Sequence, residues 1–83
     1  MLLFMNRSIF LIQKQVGKRI REIRLSKKIS QEDCALNCNL HRTYFGSVER
    51  GERNISIINL NKICSSLDIS LKEFFDSDIF KRE

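Results

Sequence analysis

The sequence predicts an all-α fold, a compact bundle of about five short helices. Three observations carry that expectation. The 83 residues include no Pro and three Gly, so few positions interrupt a helix. Apolar residues recur at helical spacing, first as Ile12, Val16, Ile20 and Ile23, later as Leu60, Ile63, Cys64 and Leu67. Each set forms one stripe that must be buried against a neighbour. Serines stand where helices should begin, at Ser30, Ser56 and Ser70, and serine oxygens satisfy the free amides of a first turn. The length suits one small domain over 1–83 with a modest core.

The opening, MLLFMNRSIFLI, has some look of a signal peptide but no basic start, and Asn6-Arg7-Ser8 breaks the apolar run. The run is too short to cross a bilayer, so residues 1–9 are expected to form a flexible arm. The first helix is expected from about Phe10 to Lys27. A second should follow Ser30, capped in a weaker version of the Ser-x-x-Glu box with Asp33, and run from Gln31 to Asn37. Asn39 suits a left-handed turn. A third helix should start near His41 or Arg42 and end at Gly51, a natural residue just past a helix end. Glu52-Arg53-Asn54 reads as a polar loop. A fourth helix spans Ile57 to about Leu67, and a fifth Leu71 to Asp76. The tail, 77–83, is expected to fray around Ile79 and Phe80.

Charge is unevenly spread. The formal net charge is +5. Lys14 to Lys28 holds seven bases against one acid, whereas Asp68 to Glu83 holds three bases and five acids. The first end suits a polyanion and the second does not. Cys34, Cys38 and Cys64 are odd in number, and the first two share an apolar helical face. That argues for reduced, buried thiols rather than disulfides or a metal site, and for a cytoplasmic setting. No nucleophile–base pair, phosphate-cradling glycine loop or metal cluster is apparent, so neither an enzyme nor a cofactor is expected. His41 reads as a cap or a phosphate contact.

The stretch Ser30 to Gly51, SQEDCALNCNLHRTYFGSVERG, organises the rest. Cys34, Cys38, Leu40, Phe45 and Val48 are the large apolar groups its two helices can bury in common, with Ala35 at their closest approach. Arg42, Thr43, Tyr44, Ser47 and Arg50 should then face outward. Such a face suits the edge of a DNA major groove.

These residues resemble the helix-turn-helix of phage-repressor-like (XRE) regulators. LHRTYFGSVERGERN is similar, more narrowly, to the controller proteins of type II restriction–modification systems. The likeness covers about Val16 to Phe75 and is most specific in SQED, Ala35 and HRTY followed by ERGERN. Asn39 replaces the commoner turn glycine, and Phe45 a branched aliphatic. The resemblance implies a lambda-repressor-like fold and a homodimer on a palindromic operator in double-stranded DNA. It implies activation and then repression of the protein's own promoter, with RNA polymerase as a further partner. Base reading is expected from Arg42, Thr43, Tyr44, Ser47 and Arg53, and backbone contact from Gln31 and Asn54. Arg50 either joins them or pairs with Glu49 or Glu52. A phage or plasmid repressor and an antitoxin-like interaction module are the alternatives. The dimer interface is expected on Ile69, Leu71, Phe74 and Phe75, unless both phenylalanines enter the monomer's core; the N-terminal arm around Leu3 and Phe4 is the next candidate.

Overall fold

In the computed structural model, residues 2–81 are described, with side chains from Leu11 onward. The described residues form helices joined by short turns and links, with no strand among them. In chain order they form α1 (Leu2–Ser26), α2 (Gln31–Asn37), α3 (Arg42–Glu49), α4 (Ile57–Ser66) and α5 (Leu71–Phe75). A single 3-10 turn, Asp78–Phe80, follows. No helix among the described residues is long and apolar enough to cross a membrane.

The helix starts follow the capping logic. Ser30, Ser56 and Ser70 accept from the amides of Asp33, Asn59 and Glu73. Glu73 also reaches back to the Ser70 amide, which completes a reciprocal box. At α3 the cap is His41, whose Nδ1 accepts from Thr43 N at 3.2 Å. The first helix differs from expectation, because its backbone is helical from Leu2 rather than from about Phe10. Residues 2–9 hold neither Pro nor Gly, so nothing local stops a helix that the buried half has already nucleated.

Four helix ends share one device. Lys28, Asn39, Gly51 and Asp68 all take positive φ, between 57° and 76°. Each places the next amide on a carbonyl five residues back, as in Ile29 N to Arg24 O at 3.1 Å and Leu40 N to Ala35 O at 2.9 Å. This is the Schellman closure, which satisfies carbonyls the helix leaves open. Asn39 and Asp68 are residues that tolerate that conformation. Lys28 is not a typical one.

The core joins every helix. Ile20, Phe45, Ile63, Cys64 and Phe74 are fully enclosed, with Val16, Ala35, Val48, Leu60 and Leu67 around them. Phe74 therefore does not lie on an exposed interface, and Ile69 and Leu71 are partly buried against the same core. Only Phe75 of the four expected interface residues stays substantially exposed, at 41%. Adjacent residues on one helix face different ways, and the chain resolves Phe74-Phe75 by sending the first inward. The tail does not fray through Phe80. Phe75 and Phe80 pack with ring centroids 5.0 Å apart, and Gln15 Nε2 donates to Ile79 O at 2.7 Å. From α1, Arg19 donates to the carbonyls of Phe74 (2.7 Å) and Glu73 (2.9 Å), which closes the end of α5.

All three cysteines are reduced and buried. Burial pushes their thiols up, that of Cys64 to about 11, so they remain protonated and unreactive near neutral pH.

The crossing of α1 over α3 is unusually close. A Cβ on Gly17 would stand 2.4 Å from Val48 O and 2.5 Å from Glu49 O. Gly51 meets the backbone of Lys14 in the same way. In an isolated helix Gly17→Ala would stabilise by about 1 kcal/mol. Here the added methyl meets backbone that cannot swing aside, and a net loss of about 2 kcal/mol is expected from overpacking. Urea unfolding checks the sign: a Gly17→Ala chain as stable as the parent would show that the helices separate at little cost.

Candidate nucleic-acid interface

Helix α3 is held at its C-terminal end and presented at its N-terminal end. Glu49, in its last turn, is buried together with Arg24 of α1. Arg24 Nε and Nη2 donate to the two carboxylate oxygens at 2.6 and 3.0 Å. Gln31 Nε2, from the first residue of α2, adds a third bond to Glu49 at 2.8 Å. Arg24 Nη1 also donates to Ile29 O at 2.8 Å. Three helices and the turn between two of them thus meet at one ion pair. The Glu49 hydrogen bond raises the Arg24 guanidinium further above its ordinary value, and a two-bond fork is the strongest form such a pair takes.

This junction is not among the sequence-based expectations, although a signal for it is present. Arg24 follows Ile20 by four residues and Glu49 follows Phe45 by four. Each charge therefore sits on an apolar stripe, where a buried partner is required. It also engages Gln31, half-buried, whose side-chain amide donates to Glu49.

The expected reading residues divide as follows. Arg42 and Thr43 open α3 and are exposed, as are Arg53 and Asn54 in the following loop, while Tyr44 is half-buried. Ser47 is a correction. It is 5% exposed, and its hydroxyl turns inward to donate to Tyr44 O at 2.6 Å. The chain folds back after Gly51 and lays Arg53 over it, so Ser47 Oγ accepts from Arg53 Nε at 3.1 Å. That bond uses Nε alone. The guanidinium carbon stands 5.9 Å from the Tyr44 ring centroid, within cation–π range, and the Tyr44 hydroxyl accepts from Asn59 Nδ2 at 3.3 Å. Ser47 is a positioning residue for Arg53 rather than an outward contact.

Arg50 pairs with Glu52 at 3.0 Å, with both side chains more than half exposed. The Arg50 hydrogen bond holds the Glu52 carboxyl below its usual range. A pair so exposed is weak and easily exchanged for a phosphate. Lys14, Lys18, Arg21, Lys27 and Lys28 are exposed along and beyond α1, whereas Arg19 and Arg24 are engaged internally. Among the described residues, no group of three His, Cys, Asp or Glu side chains could hold a metal.

A short helix whose first turn stands free, beside a second helix packed through Ala35, with arginines at the rim, defines a helix-turn-helix. A Helix-turn-helix family profile matches residues 20–74. The chain belongs to that family, and within it to the controller proteins of restriction–modification systems. It is 48% identical over 61 residues to the control protein C.BamHI of Bacillus amyloliquefaciens, covering 72% of this chain and 75% of that one. The crystal structure of the controller protein C.AhdI from Aeromonas hydrophila superposes with a TM-score of 0.73 at 44% identity, over 76% of this chain and 96% of that one. The controller C.Esp1396I, solved as a tetramer with its natural 35-base-pair operator, gives 0.77 at 39% identity, over 83% and 95%.

If Ser47 aims Arg53, Ser47→Ala should weaken binding to a duplex selected from a random pool by roughly three- to tenfold, the worth of one hydrogen bond. The same substitution in an Arg53→Ala background should add almost nothing. Fluorescence anisotropy of the four proteins checks it; additive losses would show that the two residues act separately.

Proposed function

We propose that this protein is the controller of a restriction–modification system. It binds a palindromic operator ahead of its own gene as a homodimer, activates its own gene and the restriction gene when scarce, and represses when abundant. The observation that carries this reading is the free first turn of α3, Arg42-Thr43-Tyr44, standing beside Arg53 on a rigid three-helix junction. One such edge covers only a few base pairs, so two copies related by a two-fold axis are needed for a selective site. The C.Esp1396I controller, crystallised as a tetramer on its natural operator, supports the same mode. Activation further implies contact with RNA polymerase. The protein acts by binding, in the cytoplasm, and catalyses no reaction.

The chemistry assigns roles along the edge. Arg42 and Arg53 can grip guanine O6 and N7 with two nitrogens each, and the Thr43 methyl and Tyr44 ring can pack on thymine methyls. Asn54, Arg50 and the exposed bases of α1 meet phosphates, which fix register without reading sequence.

Arg42→Ala should cost about 1–3 kcal/mol on the duplex upstream of its gene and much less on random DNA of equal length. Equal losses on both would reduce Arg42 to a phosphate contact. Affinity for either duplex should also fall steeply with salt, by on the order of a thousandfold between about 50 and 200 mM if six or more phosphates are neutralised. A flat salt response would contradict DNA binding as the protein's task.

A further inference from the structure

Just past α3, one acid stands among three bases. Arg50, which caps the helix, donates from Nε to Glu52 Oε2 at 3.0 Å. Gly51, between them, takes φ 76° and lies against the stem of Lys14 from α1. Arg53 follows directly, its Nε held on Ser47 Oγ. The Glu52 amide donates to Ser47 O at 3.0 Å, so the backbone carrying this carboxylate is tied to α3. The charges of Arg53 and Lys14 join the Arg50 hydrogen bond in holding its carboxyl below the usual range.

Local structure gives no reason for an acid at this position. It follows a helix C-terminus, whose dipole disfavours negative charge. Its side chain is 56% exposed, so packing does not require it. It also neighbours Arg53, which lies over the Tyr44 ring at the reading edge, where phosphates approach and a carboxylate repels them. Bases gathered around one anion describe a seat for an anion. We propose that Arg50 and Lys14 form the seat of a DNA phosphate, and that the Glu52 carboxylate fills it in the free protein. Binding then exchanges one ion pair for another: Arg50 leaves Glu52 for the phosphate, and Glu52 is left facing that phosphate without its partner. Arg53, beside the seat, stays free to turn to the bases. The exchange lowers affinity for every sequence alike, because phosphate contacts carry no sequence information. The base contacts are then left to decide which duplex is held.

The inference rests on the DNA-binding reading, and the experiment separates the two. Wild type, Glu52→Gln, Arg50→Ala and the double variant are titrated onto a duplex selected from a random pool and onto a random duplex of equal length, at about 50 mM salt. Both replaced side chains are exposed, so the fold is not at stake. An exposed pair is worth up to about fivefold, and a dimer holds two, so Glu52→Gln should tighten binding to both duplexes by roughly tenfold. In the Arg50→Ala background the same substitution removes only the repulsion, and the gain should drop to about threefold or less. Equal gains in both backgrounds overturn the seat, because Glu52 would then repel phosphate without holding its place. A Glu52→Gln protein that binds no tighter than the wild type overturns it as well. A wild type that binds neither duplex overturns the DNA-binding reading itself. Carbon NMR of the Glu52 carboxyl gives a readout independent of affinity: its pKa should rise towards the ordinary carboxylate value in the complex, and a carboxyl that stays low on DNA has never left Arg50 and counts against the exchange.

Discussion

The bidentate contact between Arg24 and Glu49 is the constraint on which the arrangement depends. Both side chains are nearly inaccessible, at 7% and 2%, and a carboxylate taken out of water needs its lone pairs filled. Three donors do so, two from α1 and one from α2. A buried pair of this kind is weak evidence for stability, since apolar residues of similar size often serve as well. Its geometric consequence is firmer. A planar fork meeting a planar carboxylate leaves α3 little freedom to rotate or slide, and Gly17 lets α1 come close enough for the fork to reach. The C-terminal end of the reading helix is therefore the fixed one, and its first turn projects.

That division explains how a small domain can be both rigid and available. The groups that read bases must hold their geometry before DNA arrives, or their ordering subtracts from affinity. Arg53 is held by Ser47 and the Tyr44 ring, and Tyr44 by Asn59. Each is supported by a neighbour, and none of these supports closes off the exposed edge. The bases between Lys14 and Lys28 divide in the same sense: Arg19 closes α5 and Arg24 holds α3, while the five others remain in solvent.

Much of the fold was legible because its determinants are local. Apolar stripes, serine caps, the small Ala35 and the turn at Asn39 announce themselves within a few residues, and the helices after the first sit close to where those signals put them. The misses have a common cause in contacts between distant segments. Nothing near Lys28 marks it as left-handed, yet it takes that conformation and lets Ile29 N close on Arg24 O. Ser47 looks outward on a helical wheel and is covered only because the loop after Gly51 folds back. Phe74 and Phe75 are indistinguishable by composition, and the docking of α5 on α1 decides between them. At the site, the exposure of Arg42, Thr43 and Arg53 was readable from the motif, whereas the bond from Gln31 to Glu49 required knowing that Glu49 lies beside it.

The central claim, that the buried pair acts as one unit orienting α3, is tested most directly by a double-mutant cycle on folding stability with Arg24→Met and Glu49→Leu. Each single substitution strands a buried charge and should cost about 3 kcal/mol or more. The double substitution should return to within about 1 kcal/mol of the wild type, a coupling of at least about 5 kcal/mol. Single losses that simply add would contradict it and show that α3 is held by apolar packing alone.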